Sequence, residues 1–548
     1  MPSGQPAAPI GGLMQAWPLT VDRILDHARL WHAEREVVTR RADGSIARTT
    51  YAAIHERAKR LSNALLAGGI RPGDRVATLA MNSAQHIETW YGIMGIGAVC
   101  HTLNPRLFDE QLVYIINHAG DRWIFADGVF APQIARLLPK CPAVERLVFL
   151  TPPDAAVQLG KVASDLDALV ERESAECDWG KFPEETAAGL CYTSGTTGDP
   201  KGVLYSHRSN VLHTLITMQS DVFGFSARDV VLGIVPMFHA NAWGLAFSGP
   251  ATGATLVMPG PRLDGASIHD LLERERVTFS AGVPTVWQGL MQFLEASGAK
   301  LTTLKCIIVG GSACPPALMR RLQDAYGVEV RHAWGMTEMS PLGVVGTLTP
   351  EVAALPAEER FAAQVKQGRP PYGIELKLSD DAGRPVPHDG RRFGRLKVRG
   401  PAVARQYFRR EQESILDGEG FFDTGDIATI DPLGFMQITD RAKDVIKSGG
   451  EWISSIEIEN LVMSHPQVLI AAVIGVPHPK WDERPLLFVK LKPDSGATAT
   501  DIQGFLSGMI AKWWMPDEVR LVDDIPLGAT GKIDKKRLRE LHGFAAAR

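Results

Sequence analysis

The chain has 548 residues, more than the roughly 250–300 over which one hydrophobic core usually extends, so we predict at least two domains. Its hydrophobic content of 45% and charged content of 22% are typical of a soluble globular protein. The formal net charge of −4 argues against nucleic acid as the main partner, because nucleic-acid-binding proteins are usually basic.

The N-terminus, MPSGQPAAPIGGLMQAWP, has neither a basic region nor a proper apolar core, so we predict no signal peptide. No run of eighteen uncharged apolar residues occurs in the sequence, and we therefore expect no transmembrane segment. The six cysteines lack Cys-x-x-Cys spacing, which favours free thiols in a reducing compartment over structural zinc. Together these features predict a cytoplasmic protein.

The first secondary-structure elements alternate between helix and strand. Apolar residues repeat on one face of residues 53–67, which predicts a helix that ends at Gly68–Gly69. RVATLA (75–80) is typical of a short buried strand. We expect a second helix over NSAQHIETWYGIMGIGA (82–98), with Asn82 as its N-cap.

The same alternation continues downstream. DRWIFAD (121–127) and ERLVFL (145–150) are typical of strands, with a helix predicted over VFAPQIARLL (129–138) between them. Residues 151–185 are polar and weakly periodic, so we expect a surface connection there. Further on, LKCIIVGGSACPPALMRRLQDAYG (304–327) predicts strand, glycine turn and helix. Strands alternating with helices indicate an α/β fold with parallel-rich sheets flanked by helices.

The last hundred residues have a different pattern. Short strands are predicted in GFMQITDR and DVIKSGG, then a helix over ISSIEIENLVMSHP. Two strands, VLIAAVIGVP and LLFVKLKP, and a helix ending near AKWW complete the unit. This order predicts a small α+β domain. We place the boundary after residue 440, giving a large N-terminal domain over 1–440 and a C-terminal domain over 441–548.

YTSGTTGDPKG (192–202) is the most informative short stretch. It is not a Walker A loop, because two residues rather than four separate its glycines and Lys201 is followed by Gly202. Its glycines still allow close backbone approach, and its hydroxyls and lysine can meet phosphate. From composition alone, a phosphate cradle and an ordinary Ser/Thr/Gly-rich surface loop are about equally favoured.

The residue order of this loop resembles the phosphate loop of the adenylate-forming superfamily, which includes acyl-CoA synthetases, luciferases and peptide-synthetase adenylation domains. Four further segments, spread over most of the chain in the family's order, are similar to the family's motifs: HAWGMTE (332–338), FFDTGDIATID (421–431), DRAKDVIKSGGEWIS (440–454) and PLGATGKID (526–534). The family resemblance implies a two-step reaction. A carboxylate attacks the α-phosphate of ATP, giving an acyl-adenylate and pyrophosphate, and the thiol of coenzyme A then displaces AMP.

The resemblance also implies roles for individual residues. Glu338, with Thr193, would hold Mg²⁺, since a hard cation beside phosphates needs only one or two protein oxygens. Lys532 would stabilise charge in the adenylation transition state, and His239 is the remaining candidate catalytic residue. Asp426 would accept hydrogen bonds from the two ribose hydroxyls, because a carboxylate offers two acceptor oxygens.

Trp334 would lie against adenine where the family commonly has tyrosine. For a single tryptophan, core packing is the competing interpretation. The full set implied for ATP and AMP is Thr193, Ser194, Gly195, Thr196, Thr197, Gly198, Lys201, Gly311, His332, Ala333, Trp334, Thr337, Asp426, Arg441, Lys447 and Trp452.

The C-terminal domain is implied to be mobile, with Lys443 as its hinge. Gly449 and Gly450 match positions that line the pantetheine channel in relatives, where a narrow tunnel has no room for a Cβ. Many members with this pattern use coenzyme A, but a non-CoA acceptor stays open as an alternative. A nucleotide sensor without catalysis is disfavoured, because Thr193, Glu338, Asp426 and Lys532 are all present.

The acid is indicated by VPMFHANAWG (235–244). Peptide-synthetase domains normally have an aspartate here for the substrate ammonium, and this segment has none, which argues against amino acids. The segment resembles bacterial medium- and long-chain fatty acyl-CoA synthetases, in which the tryptophan matching Trp243 gates an apolar tunnel. Simple core packing is the competing interpretation of Trp243. The implied acyl pocket comprises Phe238, Ala240, Trp243, Gly310 and Gly311.

An apolar pocket discriminates only weakly between acyl chains of different length, because each buried methylene contributes only about 0.8 kcal/mol. Ligases for short thioether acids such as 3-methylmercaptopropionate share HAWGMTE and WWMPD, and a thioether resembles a methylene in shape and polarity. We expect a medium-chain fatty acid first and the thioether acid second. Some related synthetases are homodimers, so we also expect a homodimer here.

Overall fold

The computed structural model describes residues 11–153, 163–193, 199–410, 412–448, 451–527 and 533–544. Within these ranges, no helix is both long enough and apolar enough to cross a membrane. All six cysteines fall in the described ranges, and all are free thiols, as the sequence predicted.

The strands in chain order are β1 (Glu36–Arg40), β2 (Ile46–Thr50), β3 (Arg75–Leu79), β4 (Val99–Thr102), β5 (Trp123–Ala126), β6 (Arg146–Phe149), β7 (Ala163–Asp165), β8 (Ala187–Tyr192), β9 (Gly202–Ser206), β10 (Val230–Gly233), β11 (Thr255–Met258), β12 (Phe279–Gly282), β13 (Cys306–Val309), β14 (Glu329–Gly335), β15 (Leu342–Val345), β16 (Glu375–Ser379), β17 (Gly394–Arg399), β18 (Phe422–Ile430), β19 (Met436–Arg441), β20 (Ile446–Ser448), β21 (Glu451–Ile453), β22 (Val468–His478), β23 (Asp482–Leu491) and β24 (Glu518–Leu521).

The α-helices in chain order are α1 (Asp22–Trp31), α2 (Tyr51–Ala67), α3 (Ala84–Met94), α4 (Asp109–Ala119), α5 (Ala131–Leu137), α6 (Leu166–Val170), α7 (His207–Thr217), α8 (Leu245–Thr252), α9 (Gly265–Arg274), α10 (Pro284–Ser297), α11 (Pro316–Tyr326), α12 (Pro350–Ala353), α13 (Ala357–Gln364), α14 (Ser455–Met463), α15 (Ala499–Leu506) and α16 (Lys535–Leu541). Short 3₁₀ turns lie at Gly128–Phe130, Leu138–Lys140, Ala240–Gly244, Thr337–Met339 and Lys512–Trp514.

Two parallel-rich sheets form the large domain, as the alternation of helix and strand predicted. One has the described strand order β15-β14-β13-β12-β10-β11-β1-β2, and only its edge strands β15 and β2 pair antiparallel. The other has the described order β7-β6-β5-β3-β4-β8-β9, with β9 antiparallel at one edge. Parallel strands need crossover connections, and the helices between them provide these connections.

The largest hydrophobic cluster draws residues from both sheets and from α2 and α3. Leu61 of α2 and Trp90 of α3 are fully buried in it. The two helices approach closely at Gly92, where a Cβ would lie 3.0 Å from the Ala58 carbonyl oxygen. This shared core makes the two sheets one packed body that positions the loops at their edges.

Two smaller sheets follow. The strands β16-β17-β18-β19 form an antiparallel sheet that the helix–strand alternation did not predict. The last sheet, β21-β20-β23-β22 with β24 beside β23, packs with α14, α15 and α16 as a small α+β domain. Because β19 belongs to the preceding sheet, GFMQITDR is outside the small domain's sheet.

Three local predictions were wrong in detail. Ser83, not Asn82, caps α3, and the Asn82 side chain instead bonds to Gly233 O, Val235 O and Met237 N at 2.6–2.7 Å. The described part of the expected connection at 151–185 contains β7 and α6. AKWW lies in a 3₁₀ turn, because the preceding helix already ends at Leu506.

Candidate active site

The phosphate loop connects two antiparallel strands, β8 and β9, whose ends pair at Tyr192 and Gly202. Just beyond the strands, the Thr193 amide donates to the Lys201 carbonyl oxygen across 2.9 Å, so both ends of the loop are held together. Thr193 Oγ1 also accepts a bond from the Lys201 amide at 3.3 Å. The predicted loop residues Ser194, Gly195, Thr196, Thr197 and Gly198 lie outside the described residues.

Glu338 lies in the turn after β14 and is only 5% exposed. Tyr407 donates its phenolic hydrogen to Glu338 Oε1 across 2.7 Å. Burial raises the pKa of the Glu338 carboxyl, while the Tyr407 hydroxyl and the positive charges of Arg441 and Lys201 lower it. A buried carboxylate with cations nearby is suited to a charged ligand.

The donor set around Glu338 fits magnesium bound together with phosphate. Among the described residues, no three or more His, Cys, Asp or Glu side chains are grouped so that they could hold a metal by themselves. Mg²⁺ keeps several waters and commonly takes one or two carboxylates plus substrate phosphates. One buried carboxylate that shares Tyr407 as a neighbour with Lys201 therefore matches that cation better than zinc.

Trp334, Asp426 and Arg441 form one cluster. Trp334 Nε1 donates to Asp426 Oδ2 at 2.9 Å, and Arg441 Nε lies 2.9 Å from Asp426 Oδ1. The indole packs closely against Gly343, where a Cβ would come within 2.4 Å of the ring. A carboxylate oxygen can accept more than one hydrogen bond, and a ribose hydroxyl requires an acceptor of this kind.

The backbone after β13 and along β14 supplies further predicted positions. The His332 ring bonds Val365 O through Nδ1 at 2.9 Å and accepts the Cys314 amide at Nε2 across 3.2 Å. Burial lowers the pKa of His332 to about 4, so its ring is neutral at pH 7. With both ring nitrogens engaged, His332 offers a nucleotide only its backbone, and so does its neighbour Ala333. Thr337 is buried, and its carbonyl oxygen accepts the Tyr205 hydroxyl at 2.7 Å.

The predicted acyl segment has unusual backbone geometry. Ala240, Asn241, Ala242 and Trp243 all have positive φ, between 44° and 54°. Left-handed backbone costs a non-glycine residue roughly 1–2 kcal/mol, so the surroundings must hold this segment. Asn241 does so from within, because its Nδ2 donates to Asn210 Oδ1 at 3.1 Å.

This backbone places Trp243 against the two predicted wall glycines. A Cβ at Gly310 would lie 3.0 Å from the indole, and one at Gly311 would lie 3.8 Å from it. A small cleft adjoins the segment, and its lining includes Phe238, His239 and Tyr192. The structure thus brings the acyl segment and the first residue of the phosphate-loop motif to one cleft.

The small domain holds the remaining predicted positions. Lys447 and Trp452 are opposite each other on the hairpin β20–β21, with the ammonium 5.9 Å from the indole centroid. Lys443 is exposed in the turn after β19. Gly449, Gly450 and Lys532 lie outside the described residues. The described residues on either side of the segment with Lys532 contact each other, since Leu527 pairs with Ile533 and the Asp534 amide donates to Pro526 O at 2.8 Å.

Sequence reasoning missed one tyrosine that contacts a candidate side chain of this site, Tyr407, and another that contacts the same turn only through its backbone, Tyr205. Tyr407 contacts Glu338 from 69 positions further along the chain, and Tyr205 contacts the carbonyl of Thr337. Tyr407 stands in VARQYF, where an isolated aromatic residue gives no signal beyond core packing. Only the fold brings these hydroxyls to the turn that carries Glu338.

Two family models match the chain. The model described as AMP-binding enzyme matches residues 26–408, and the model described as AMP-binding enzyme C-terminal domain matches residues 457–532. The interval between them contains the predicted boundary at residue 440 but does not locate it.

Several characterised relatives match along nearly the whole chain. The chain is 48% identical over 530 residues to 3-methylmercaptopropionyl-CoA ligase of Ruegeria pomeroyi, covering 96% of this chain and 98% of that protein. It is 45% identical over 534 residues to medium-chain-fatty-acid–CoA ligase of Ectopseudomonas oleovorans, covering 97% of each. It is 43% identical to long-chain-fatty-acid–CoA ligase of Thermus thermophilus, covering 94% of each.

Solved structures share the fold. The anthranilate CoA ligase AuaEII in complex with anthranoyl-AMP superposes with a TM-score of 0.85 at 26% identity, covering 97% of this chain and 99% of that chain. ATP-bound MatB from Rhodopseudomonas palustris superposes with a TM-score of 0.80 at 25% identity, covering 95% and 99%. Both similarities extend through the large and the small domain.

Proposed function

The chain belongs to the AMP-binding enzyme family and is an AMP-forming acid–CoA ligase, and we propose that its acid is an unbranched apolar monocarboxylic acid. ATP and coenzyme A are the co-substrates, with Mg²⁺ as the metal, as in this family. A medium-chain fatty acid is the first candidate. The observation that carries the proposal is the packing of Trp243 over Gly310 and Gly311, which gives the acyl segment an apolar wall.

The first half-reaction joins the acid to AMP. We propose that Glu338 holds the metal that neutralises the phosphates, and that Lys201 meets the phosphates directly. Asp426 would hold the ribose, oriented by Trp334 and Arg441. In this step a carboxylate oxygen bonds to the α-phosphorus and pyrophosphate leaves, so catalysis consists mainly of positioning and charge stabilisation. Lys532 would supply that stabilisation from the small domain.

The second half-reaction requires the thiol of coenzyme A to reach the acyl carbon. We propose that the small domain, 441–548, moves against 1–440 about Lys443 between the two steps. Among the hydrogen bonds that cross the proposed boundary, Ser454 Oγ donates to Thr439 O at 2.5 Å, and the Ser455 amide donates to Asp440 Oδ2 at 2.7 Å. Such contacts would have to break and re-form, and this motion can limit turnover.

A second candidate acid is 3-methylmercaptopropionate, because the ligase of Ruegeria pomeroyi named for it is 48% identical to this chain. Its skeleton matches pentanoate with a sulfur in place of one methylene. Sulfur and methylene are similar in size and polarity, so an apolar wall formed by Trp243 and Gly310 discriminates weakly between these two acids.

Pyrophosphate release measured over a carboxylate panel tests the proposal. The panel contains straight-chain acids from propionate to dodecanoate, an amino acid and an aromatic acid, with 3-methylmercaptopropionate paired against pentanoate as its isostere. A maximum of kcat/KM among the medium-length acids supports the first candidate, and a clear excess for the thioether over pentanoate supports the second. Preference for an amino acid or an aromatic acid would contradict the proposed acid. CoA-independent turnover would contradict the thiol acceptor.

The cellular location and the oligomeric state are proposed as well. We propose a cytoplasmic enzyme, supported by six free thiols in the described residues, which fit a reducing compartment. We also propose a homodimer, on the basis of the resemblance to dimeric synthetases. Light scattering of the purified protein tests the dimer, and a monomeric mass at micromolar concentration would contradict it.

A further inference from the structure

We propose that Tyr407 positions two groups of the ATP site at once, the carboxylate of Glu338 through its hydroxyl and the ammonium of Lys201 through its ring. This inference rests on the proposed role of Glu338 as the magnesium ligand. Tyr407 would not itself touch the substrate, so it is a positioning residue. Because the hydroxyl and the ring of Tyr407 contact different groups, removing each one should weaken a different step of ligand binding.

The segment from Ala404 to Phe408 connects the two parts of the site. At one end, the Ala404 amide donates to the Glu338 carbonyl oxygen across 2.7 Å. At the other end, the Phe408 amide donates to Gly202 O across 2.8 Å, on the strand that closes the phosphate loop. Tyr407 lies between these two anchors, so its side chain is held at a defined place between the metal carboxylate and the loop.

The hydroxyl contact fixes the glutamate side chain. Tyr407 Oη donates to Glu338 Oε1 across 2.7 Å, and both side chains are buried, with the tyrosine 8% and the glutamate 5% exposed. Hydrogen bonds to ionised acceptors are stronger than neutral ones, and they restrict carboxylate rotation. A bond to one oxygen orients the other, which is the arrangement that partners of metal ligands commonly provide.

The ring contact fixes the lysine side chain. The Lys201 ammonium lies 4.9 Å from the centroid of the Tyr407 ring, within the range of a cation–π interaction. Lys201 is otherwise a long flexible side chain at the end of the phosphate loop, and its rotamer freedom opposes any single geometry. Packing on the ring lowers the entropy that Lys201 must lose when phosphate binds.

The competing explanation is that Tyr407 only fills space, since it packs with Cys191, Val203 and Tyr205. Tyr205 provides a matched control for that explanation. It is buried, lies in the same cluster and also donates one hydrogen bond to the Glu338 turn, but to the Thr337 carbonyl oxygen rather than to the carboxylate. Tyr205→Phe thus removes a comparable hydroxyl without touching Glu338.

The experiment measures binding rather than turnover. Free Mn²⁺ is followed by electron paramagnetic resonance in the presence of α,β-methylene-ATP, and binding of the same analogue is measured separately in EDTA. The proteins are wild type, Tyr407→Phe, Tyr407→Leu, Tyr205→Phe and Glu338→Gln, each checked for folding by circular dichroism.

The two contacts give different expectations. Tyr407→Phe keeps the ring and loses the hydroxyl, so Mn²⁺ affinity should fall about tenfold with metal-free analogue binding unchanged. Tyr407→Leu loses both contacts, so metal-free binding should also weaken, about threefold. Tyr205→Phe should resemble wild type in both measurements. Equal Mn²⁺ affinity in Tyr407→Phe and Tyr205→Phe would overturn the inference, as would unchanged metal-free binding in Tyr407→Leu.

Glu338→Gln separates this inference from the proposed function. If that variant binds Mn²⁺ as wild type does, the metal role of Glu338 fails, and the inference fails with it. If Glu338→Gln loses Mn²⁺ while Tyr407→Phe does not, the proposed function stands and only the positioning role of Tyr407 is wrong.

Discussion

Trp334 Nε1 donates to Asp426 Oδ2 across 2.9 Å, although the two residues are 92 positions apart in the chain. The indole therefore has a contact beyond the adenine stacking that the sequence predicted for it. Its N–H orients the carboxylate that we propose for the ribose, while Arg441 holds the other carboxylate oxygen at 2.9 Å. A phenylalanine would keep a ring at this position but leave Asp426 with one orienting partner fewer.

Trp334→Phe should therefore raise KM for ATP about tenfold, because a hydrogen bond to a charged group contributes about 1.5 kcal/mol or more. Steady-state kinetics with 2′,3′-dideoxy-ATP provide the control, since that nucleotide has no ribose hydroxyls for Asp426. The penalty of the substitution should largely disappear with it. An equal penalty for both nucleotides would indicate that lost ring packing, not the orientation of Asp426, is responsible.

Lys532→Ala should abolish acyl-adenylate formation and largely spare thioester formation from supplied acyl-AMP. The reason is that the ammonium stabilises charge only while the carboxylate attacks phosphorus. Pyrophosphate release measures the first half-reaction, and release of AMP from synthetic acyl-AMP and coenzyme A measures the second. Lys536→Ala, four positions further on, is the matched control. Loss of both half-reactions in a folded Lys532→Ala protein would remove this role from Lys532.

Lys535→Met should destabilise the small domain by about 3–5 kcal/mol, the usual cost of leaving one partner of a buried ion pair alone. Lys535 Nζ lies 2.8 Å from Glu459 Oε1, and the side chains are 11% and 8% exposed. Hydrogen exchange over α14 and β22 reports the loss. The double variant Lys535→Met/Glu459→Gln should lose less stability than the sum of the losses in the two single variants. Additive losses would show that the two side chains are not coupled.

Glu88→Gln should change how the stability of the protein depends on pH. In wild type, the Glu88 carboxyl lowers stability as pH rises, whereas most carboxylates of folded proteins have the opposite effect. Burial raises the pKa of the Glu88 carboxyl to about 7, against the lowering effect of Arg57, from an ordinary value of 4.5. Between these two pH values the folded protein holds a proton that the unfolded chain has lost. Wild-type stability therefore falls as pH rises through this window.

The variant lacks this titration, so its stability relative to wild type should improve by about 3 kcal/mol from pH 4.5 to pH 8. Urea unfolding of both proteins at the two pH values checks the sign. The difference in unfolding free energy between variant and wild type at pH 4.5 measures the effect of the altered contact with Arg57 and serves as the internal control. A difference that stays constant with pH would contradict the raised pKa of Glu88.

Trp243→Ala should shift acid preference toward longer chains, because it removes the indole that packs over Gly310 and Gly311. Each additional methylene that finds apolar contact contributes about 0.8 kcal/mol, or roughly fourfold in kcat/KM. The acid panel described above measures the shift. Gly311→Ala should act in the other direction, since its Cβ would meet Val283 at 3.0 Å in a backbone with φ of +82°. An unchanged length profile in both variants would exclude Trp243 from the acyl wall.

Local patterns predicted the elements of the large domain well. The apolar repeat over 53–67 became α2, and the strand–glycine–helix pattern at 304–327 became β13 and α11. These features depend on neighbouring residues, whose spacing the sequence displays directly. The prediction failed for Asn82, whose side chain found backbone partners near residues 233–237 that are more than 150 positions away. A cap competes with such distant partners, and the sequence does not reveal them.

The motifs by themselves determined the family and the two-step reaction, and they predicted the residue types that would meet ATP, because each short motif carries its donors and acceptors in a fixed local order. Only the tertiary structure joined Trp334 to Asp426 and Tyr407 to Glu338 and Lys201. Those contacts form where separate chain segments pack together, so their geometry depends on the whole core rather than on any single stretch. For that reason the chemistry could be predicted from the sequence, and the groups that hold it in place could not.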